Sequence, residues 1–592
     1  MISNFTLSTL TLSILFSLPL SAQFDCTNPD AQSDLAINNV RARLKNAGDL
    51  WWNTSEARYI VPKVEPGQGP EVAAIFAGGL WIGGYDEQGN LKLAAPTYGS
   101  GNGENDYYAG PLDEQGQTDE DQCYQFDRIW SANAVDINAH LQDWNDNGII
   151  DGPVPNSLLN WPGRGNPHFF DQNGFDLPDQ DLAPFFDQNN DGLYDPFEGD
   201  YPDIKGADEG QWMVFNDIGN AHADSYGAPL GMEVHLLAYA YAHSDEAINN
   251  TTFYQYTLIN KSGGLLDSVY AALWVDADLG CHTDDYIGCS PQRNLAYVYN
   301  MDAVDGSSGC NCQGVDTYCE DIPLVGIKLL DGVVAGRNFG PDGTLVTPPL
   351  GQAPDTTVHL GMTSFMYYRN PSGSPTPLAA IIDPQSPTEY YGFMSGRWRD
   401  GMPLTTGGGG YNPNSTDVTS FAFPNNPADD TGWSMCSANI PQSDPRMVIG
   451  MGPFRMEAGS VNSISFAVIY QADVPHPCPD VSGLEAIADA VHFFHDGTVF
   501  TPANEAVFEN KGRLDIAPNP FSDVALVKMP MSLHGVVSVD IFSAQGLMVR
   551  SYLHDERIEE LVIERSGLNT GMYFCRVRDR SGKQVLGKFL IE

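Results

Sequence analysis

MEVHLLAYAYAHS (232–244), FYQYTLIN (253–260) and SVYAALWVDAD (268–278) follow one another with only short polar breaks between them. Each is rich in aromatic and β-branched residues and is bounded by Ser, Asn, Gly or Asp, the pattern of strands joined by turns. Further runs of this kind lie at 294–300, 323–330, 360–368, 447–453 and 463–472. Upstream, EVAAIFAGGLWIGGYDEQGNLKLAA (71–95) reads as strand, turn, strand, with the turn at Asp86–Asn90. Strands in succession without intervening helices predict antiparallel sheets, not a doubly wound parallel one. The fold expected is mainly β: a large sandwich-like core with long Asp/Gly/Pro-rich loops and few short helices. Helices are predicted at 34–47, 134–144 and 483–495 from apolar residues at helical spacing.

The 592 residues exceed one ordinary domain. The 60 Gly and 41 Pro suit a turn-rich architecture. The formal charge of −47 is unevenly placed. Residues 512–592 carry ten acidic and ten basic groups, and residues 1–22 carry none, so the whole excess lies between them. Such a field repels nucleic acid and anionic lipid and attracts divalent cations.

The first 22 residues hold an apolar run from Leu10 to Leu20, then Ser21 and Ala22, which predicts a signal peptide cleaved after Ala22. That run is too short to span a bilayer, and no other segment is long enough, so no transmembrane segment is expected in the mature chain. An exported chain with ten Cys is expected to form disulfides. Cys281 with Cys289 would close a short loop, and at least one of Cys310, Cys312 and Cys319 must pair elsewhere. The organisation expected is therefore signal peptide 1–22, an acidic core 23–500 with a subdomain break near 210–230, a linker 501–511, and a tail 512–592.

The tail reads as a compact Ig-like β-sandwich. Its motifs are Pro518-Asn519-Pro520-Phe521, Asp540-Ile541-Phe542 with Gly546, Leu568-Asn569-Thr570-Gly571-Met572-Tyr573 and Lys588-Phe589-Leu590-Ile591. In that order they resemble the type A C-terminal sorting domain of the type IX secretion system. The resemblance implies Sec-dependent export, passage across the outer membrane of a Gram-negative bacterium, engagement of the type IX machinery, and removal of 512–592 by a sortase. Secretion or attachment at the cell surface would follow. The core stretches 77–98, 160–169, 214–224 and 273–300 resemble an uncharacterised group of such cargo proteins, which implies a compartment and no chemistry.

Three acidic stretches are candidates for binding calcium. DQNNDGLYDPFE (187–198) fits the calcium-loop spacing. Asp187, Asn189, Asp191 and Glu198 would give side-chain oxygens, Leu193 its carbonyl, and Asp195 the water-bridged position, because a calcium ion takes 6–8 hard oxygen ligands. Pro196 and the following GDYPD preclude the usual exiting helix. DWNDNGIID offers Asp143, Asn145, Asn147 and Asp151 without the closing Glu. DADLGCHTDD offers Asp276, Asp278, Asp284 and Asp285 at a strand end. Crowded carboxylates without a nearby cation repel one another, which favours a bound ion. A catalytic acid/base pair from Asp276 and Asp284, acting on polysaccharide, is the alternative.

Nucleophile-elbow, zinc-protease, P-loop and dinucleotide motifs are absent from the sequence. The pair Glu233 and His235 reads as ordinary strand positions, and Glu485, Asp489 and His492 as a polar helix face. The sequence favours a non-enzymatic, calcium-stabilised binding or adhesion protein and leaves its ligand open, with a surface polysaccharide or another glycan as a candidate partner.

Overall fold

The computed structural model describes residues 26–498, apart from short loop segments, and the strands and adjoining residues of 514–591. The expected signal peptide and the 501–511 linker lie outside the described residues. The principal core strands, in chain order, are β1 (Arg41–Lys45), β2 (Asp49–Leu50), β3 (Ala77–Tyr85), β4 (Glu209–Asn216), β5 (Met232–Ala240), β6 (Thr251–Asn260), β7 (Leu266–Asp276), β8 (Asp285–Ser290), β9 (Leu295–Asn300), β10 (Leu324–Asp331), β11 (Ser364–Arg369), β12 (Pro445–Met456) and β13 (Val461–Gln471). One ten-stranded sheet runs β11–β12–β7–β3–β2–β1 and continues into short edge strands. A nine-stranded sheet runs β8–β9–β10–β13–β6–β5–β4. These neighbours pair antiparallel, as the succession of strand signals predicts.

The sheets meet face to face around aromatic rings. The Trp51 indole N–H donates to the Tyr254 hydroxyl at 2.9 Å, and the Trp51 ring stands edge-on to Tyr59 and Phe466. The Tyr59 hydroxyl lies 2.9 Å from that of Thr252. The polar tips of Trp51 and Tyr59 thus find partners while their rings fill the interior. A single apolar cluster extends from Leu35 to Val491. The interval near 210–230, where a subdomain break is expected, begins inside β4. That strand pairs with β5 on one side and with short strands from residues 108–109 and 130–133 on the other.

Residues 34–46 are not helical. They form the strand Gln32–Leu35 and β1, paired antiparallel. Asn38 turns the chain: its side-chain oxygen accepts from Val40 N–H, and its amide donates to Thr251 O. Ala42 and Leu44 then alternate inward, so period two prevails over the helical spacing of Leu35, Val40 and Leu44. The other two helices form, as α1 (Ala134–Asn147), capped by Asn133 and Gly148, and α2 (Ser482–Thr498). The disulfides are Cys26–Cys123, Cys281–Cys310, Cys312–Cys319 and Cys436–Cys478. The expected Cys281–Cys289 bridge is not made. Cys289 lies within β8 with its thiol against Ala422 O, buried and free.

In the tail, a three-stranded and a four-stranded antiparallel sheet enclose a separate core that includes Val539, Ile541, Val577 and Phe589. The polar breaks of the tail sequence at Ser543–Gly546 and Arg580–Lys583 predict turns, and both fall mostly outside the described residues.

Candidate metal centre

The three acidic stretches fold in three different ways. DWNDNGIID is not a wrapped loop. Asp143, Asn145 and Asn147 lie in the last turns of α1. Asp143 accepts from Gly152 N–H at 2.9 Å, and Asn147 accepts from Ile149 N–H and donates to Asp151 at 3.3 Å. The stretch acts as a helix C-terminus held by its own side chains.

The 187–198 stretch is a tight loop, with Gly192 at φ +82°. Asp187 accepts from Asn190 and Gly192 N–H, and Asp191 from Leu193 N–H. Asn189 donates to Asp191 at 3.1 Å and to Glu198 at 2.6 Å, so three of the predicted ligands converge. Asp195 instead caps the short turn 196–198 and faces His168 at 3.3 Å, while the Leu193 side chain is exposed. A neighbour the motif does not include, Asp200, accepts from Gln188 and Asp195 N–H and closes the loop.

The DADLGCHTDD stretch is where carboxylates become buried. β7 ends at Asp276 and β8 begins at Asp285, so the intervening chain crosses from one sheet to the other with its acids at the crossing. Among the described residues, Asp276, Asp278 and Asp444 bring carboxylate oxygens within 4.8 Å of one another. Asp284 and Asp305 meet at the same range beside Cys281, whose sulfur is committed to Cys310. Asp285 follows directly, and Asn300 stands opposite it in the ladder. Asp284, Asp285, Asn300 and Asp305 are 0% exposed and Asp276 is 2%.

These groups are only half satisfied. In the first nest the Tyr98 hydroxyl donates to Asp276 at 2.5 Å. Arg446 Nε lies 3.1 Å from Asp276 Oδ1 but aims its N–H at Tyr98, and Arg446 Nη1 pairs with Asp444 at 2.9 Å. One guanidinium therefore serves three carboxylates. In the second nest Asp285 accepts from Leu279 N–H at 3.1 Å, Asp284 from Gly306 N–H at 3.3 Å, and Asp305 from Cys281 N–H at 2.9 Å and from Tyr318 N–H. One oxygen on each of Asp276, Asp278, Asp284, Asp285, Asp444 and Asn300 has no hydrogen-bond partner. An unpartnered buried polar oxygen costs about 1–3 kcal/mol, and more when charged, so five carboxylate oxygens and one amide oxygen in one region are far beyond ordinary tolerance. Gly280, at φ +75°, keeps the approach open: a Cβ there would stand 2.1 Å from Asp305 Oδ2.

Proton affinity reflects the same crowding. Burial, then Asp305, pushes Asp284 up to about 7. Burial pushes Asp305 up to about 6. Burial lifts Asp276 to about 6 although Arg446 opposes it. Asp278 and Asp285 are raised well above the usual carboxylate range, first by burial and then by their acidic neighbours. A divalent ion at either nest would replace those protons and meet the hard-oxygen preference of calcium. Asp305, Asp444 and Asn300 are not legible in the sequence as members, because they come from distant strands and loops.

Residues 515–592 match the family model described as the secretion system C-terminal sorting domain. The tail is therefore a type IX sorting domain, and the chain is cargo of that system, secreted or displayed at the cell surface. No curated protein matches the chain. Among solved structures, a polysaccharide lyase aligns at 9% identity and a TM-score of 0.17, over 61% of this chain and 34% of the lyase. The chain thus spans about a third of the lyase, and so slight a likeness says nothing of fold or chemistry. No described helix is long and apolar enough to cross a membrane.

Proposed function

We propose that this type IX cargo is a non-enzymatic binding protein of the cell surface or surroundings, whose β-core is held in shape by divalent ions of the calcium class. The observation that supports the reading is the pair of buried nests with unpartnered oxygens at the β7–β8 crossing. The first ion would sit among Asp276, Asp278 and Asp444, the second among Asp284, Asp285, Asp305 and Asn300. The 187–198 loop would take a third, weaker ion, since its groups are exposed and already hydrogen-bonded to one another. The 143–151 stretch offers least, because its oxygens cap a helix end.

The alternative reading, polysaccharide hydrolysis by Asp276 and Asp284, has less support. Both carboxylates are buried, Asp276 beneath Tyr98 and Arg446, whereas glycoside hydrolysis needs two carboxyls flanking a bound sugar. Calorimetric titration of calcium into chelator-stripped protein tests the reading. Two ions are expected from the buried nests, one lost in Asp278→Asn and the other in Asp285→Asn. No heat of binding, together with glycosidase turnover abolished by Asp284→Asn, would transfer support to the hydrolase.

A further inference from the structure

On the face of the nine-stranded sheet opposite the aromatic interior lies an open groove of about 650 Å³. Its floor consists of side chains brought abreast by register. Trp212, Leu237 and Gln255 form one row across β4, β5 and β6. His235 and Thr257 form the next. Glu233 and Ile259 lead to Val461 on β13 in the third. The alternate residues on the same strands, such as Leu236 and Tyr256, point into the core. The sheet is therefore apolar on one side and mixed on the other; on the mixed side Trp212, Leu237 and Glu233 are buried, and the groove opens onto the half-buried Gln255, Thr257 and Ile259 and the exposed Val461.

Some of its polar groups are fixed and others are free. Glu233 accepts from His235 at 2.8 Å and from Leu112 N–H at 2.6 Å. Lys261 donates to Gln180 at 2.9 Å and stands 3.9 Å from Glu233. His235 is further held edge-on to the Trp212 ring at 5.4 Å. Beside this rigid set, the Gln255 amide and the Thr257 hydroxyl, both half-buried, make no side-chain hydrogen bond to any described residue. Charge is balanced at the groove: Arg164, Lys205 and Lys261 face Glu114, Asp181 and Glu233. In a chain of net charge −47 this is a locally neutral site.

We infer that this groove binds a neutral saccharide chain. The inference rests on the binding-protein reading and supplies its ligand class. The volume lies within the range of about 300–1,000 Å³ typical of small-ligand pockets. Sugar hydroxyls both donate and accept, which suits an amide and a hydroxyl left unpaired beside a fixed Glu–His–Lys set. Ile259 and Val461 offer apolar surface to the C–H faces of the sugar rings. With its charges already balanced, the groove offers no net attraction to an anionic ligand, and the surrounding acidic field repels one.

The test is calorimetric titration of the purified exported protein, in calcium-containing buffer, with a panel of neutral hexasaccharides and one uronate hexasaccharide. At least one neutral member should saturate. The double variant Gln255→Leu/Thr257→Val should weaken that binding about tenfold, from two lost hydrogen bonds, without lowering the melting temperature. Thr257→Trp, which fills the groove, should abolish it. Failure of every neutral saccharide, binding of the uronate alone, or equal affinity in all three proteins would overturn the inference. The metal reading is measured separately, by calcium heats, so either can fail while the other stands.

Discussion

Withdrawing calcium from the core should lower its melting temperature, and the structure sets the scale. Two buried nests are available. With extracellular-type affinity near 10⁻⁴ M, calcium at about 10 mM is roughly a hundredfold above Kd and stabilises by about 2.7 kcal/mol per site, or about 5 kcal/mol for two. Unfolding entropy near 2.1 cal/mol/K per residue over the ~470 core residues is about 1 kcal/mol/K, so the shift is on the order of 5 °C. Each tenfold rise in calcium above Kd should add about 1.4 kcal/mol per site, hence about 3 °C per decade for two. Asp285→Asn sharpens the test through its sign. With chelator present it removes a buried acid crowded by Asp278 and Asp284 and should raise the melting temperature. In calcium it loses an ion and should lower it. Scanning calorimetry in chelator and across a calcium series reads both effects. A core transition indifferent to calcium, or an Asp285→Asn penalty equal in the two buffers, would refute the reasoning.

Three further perturbations follow from the packing. Replacing Cys281 and Cys310 by Ser should cost about 2–4 kcal/mol and also weaken calcium binding, because that bridge closes the segment carrying Asp284, Asp285 and Asp305; melting and calcium titration of the double variant check both. Asp217 is fully buried and accepts from the N–H groups of Leu230, Gly231 and Met232, so Asp217→Ala should cost roughly 3 kcal/mol or more by stranding three donors, read as a fall in the urea midpoint and partly restored in Asp217→Asn. Asp224 is pushed up to about 7 by burial and by Asp106, from 3.8. Its folded form holds its proton more tightly than the unfolded chain, so its contribution is complete below about pH 3.8 and is lost as pH rises through about 7. Melting in calcium-saturated buffer from about pH 5 to 8 should therefore decline less in Asp224→Asn than in the parent, and parallel declines would contradict the assignment.

Much of the fold is local information. The strand runs at 232–278, the helix at 134–144 and the tail motifs each declare themselves within a few residues, because side-chain period and turn chemistry act at that range. Where two periods compete in a short stretch, local reading fails. Leu35, Val40 and Leu44 fit a helix on paper, yet the Asn38 turn and pairing with neighbouring strands make them a hairpin. Disulfide partners fail for a related reason: β8 carries Cys289 to Ala422, leaving Cys281 to meet Cys310.

The candidate sites divide along the same line. The sequence by itself determined the acid content of the core, the neutrality of the tail, the strand character and the sorting motifs, since composition and nearest-neighbour pattern suffice for these. Only the tertiary structure decided which acids lose water. Asp187 and Asp285 look alike in the chain, but one ends in a solvated loop and the other is fully buried at the start of β8, beside Asn300 and Asp305. Likewise Gln255 and Thr257 become a groove floor only when register sets them beside Leu237 and His235. Burial and cross-strand adjacency are properties of contacts between distant segments, and those contacts, not residue identity, set the desolvation that makes a carboxylate need an ion or leaves an amide needing a ligand.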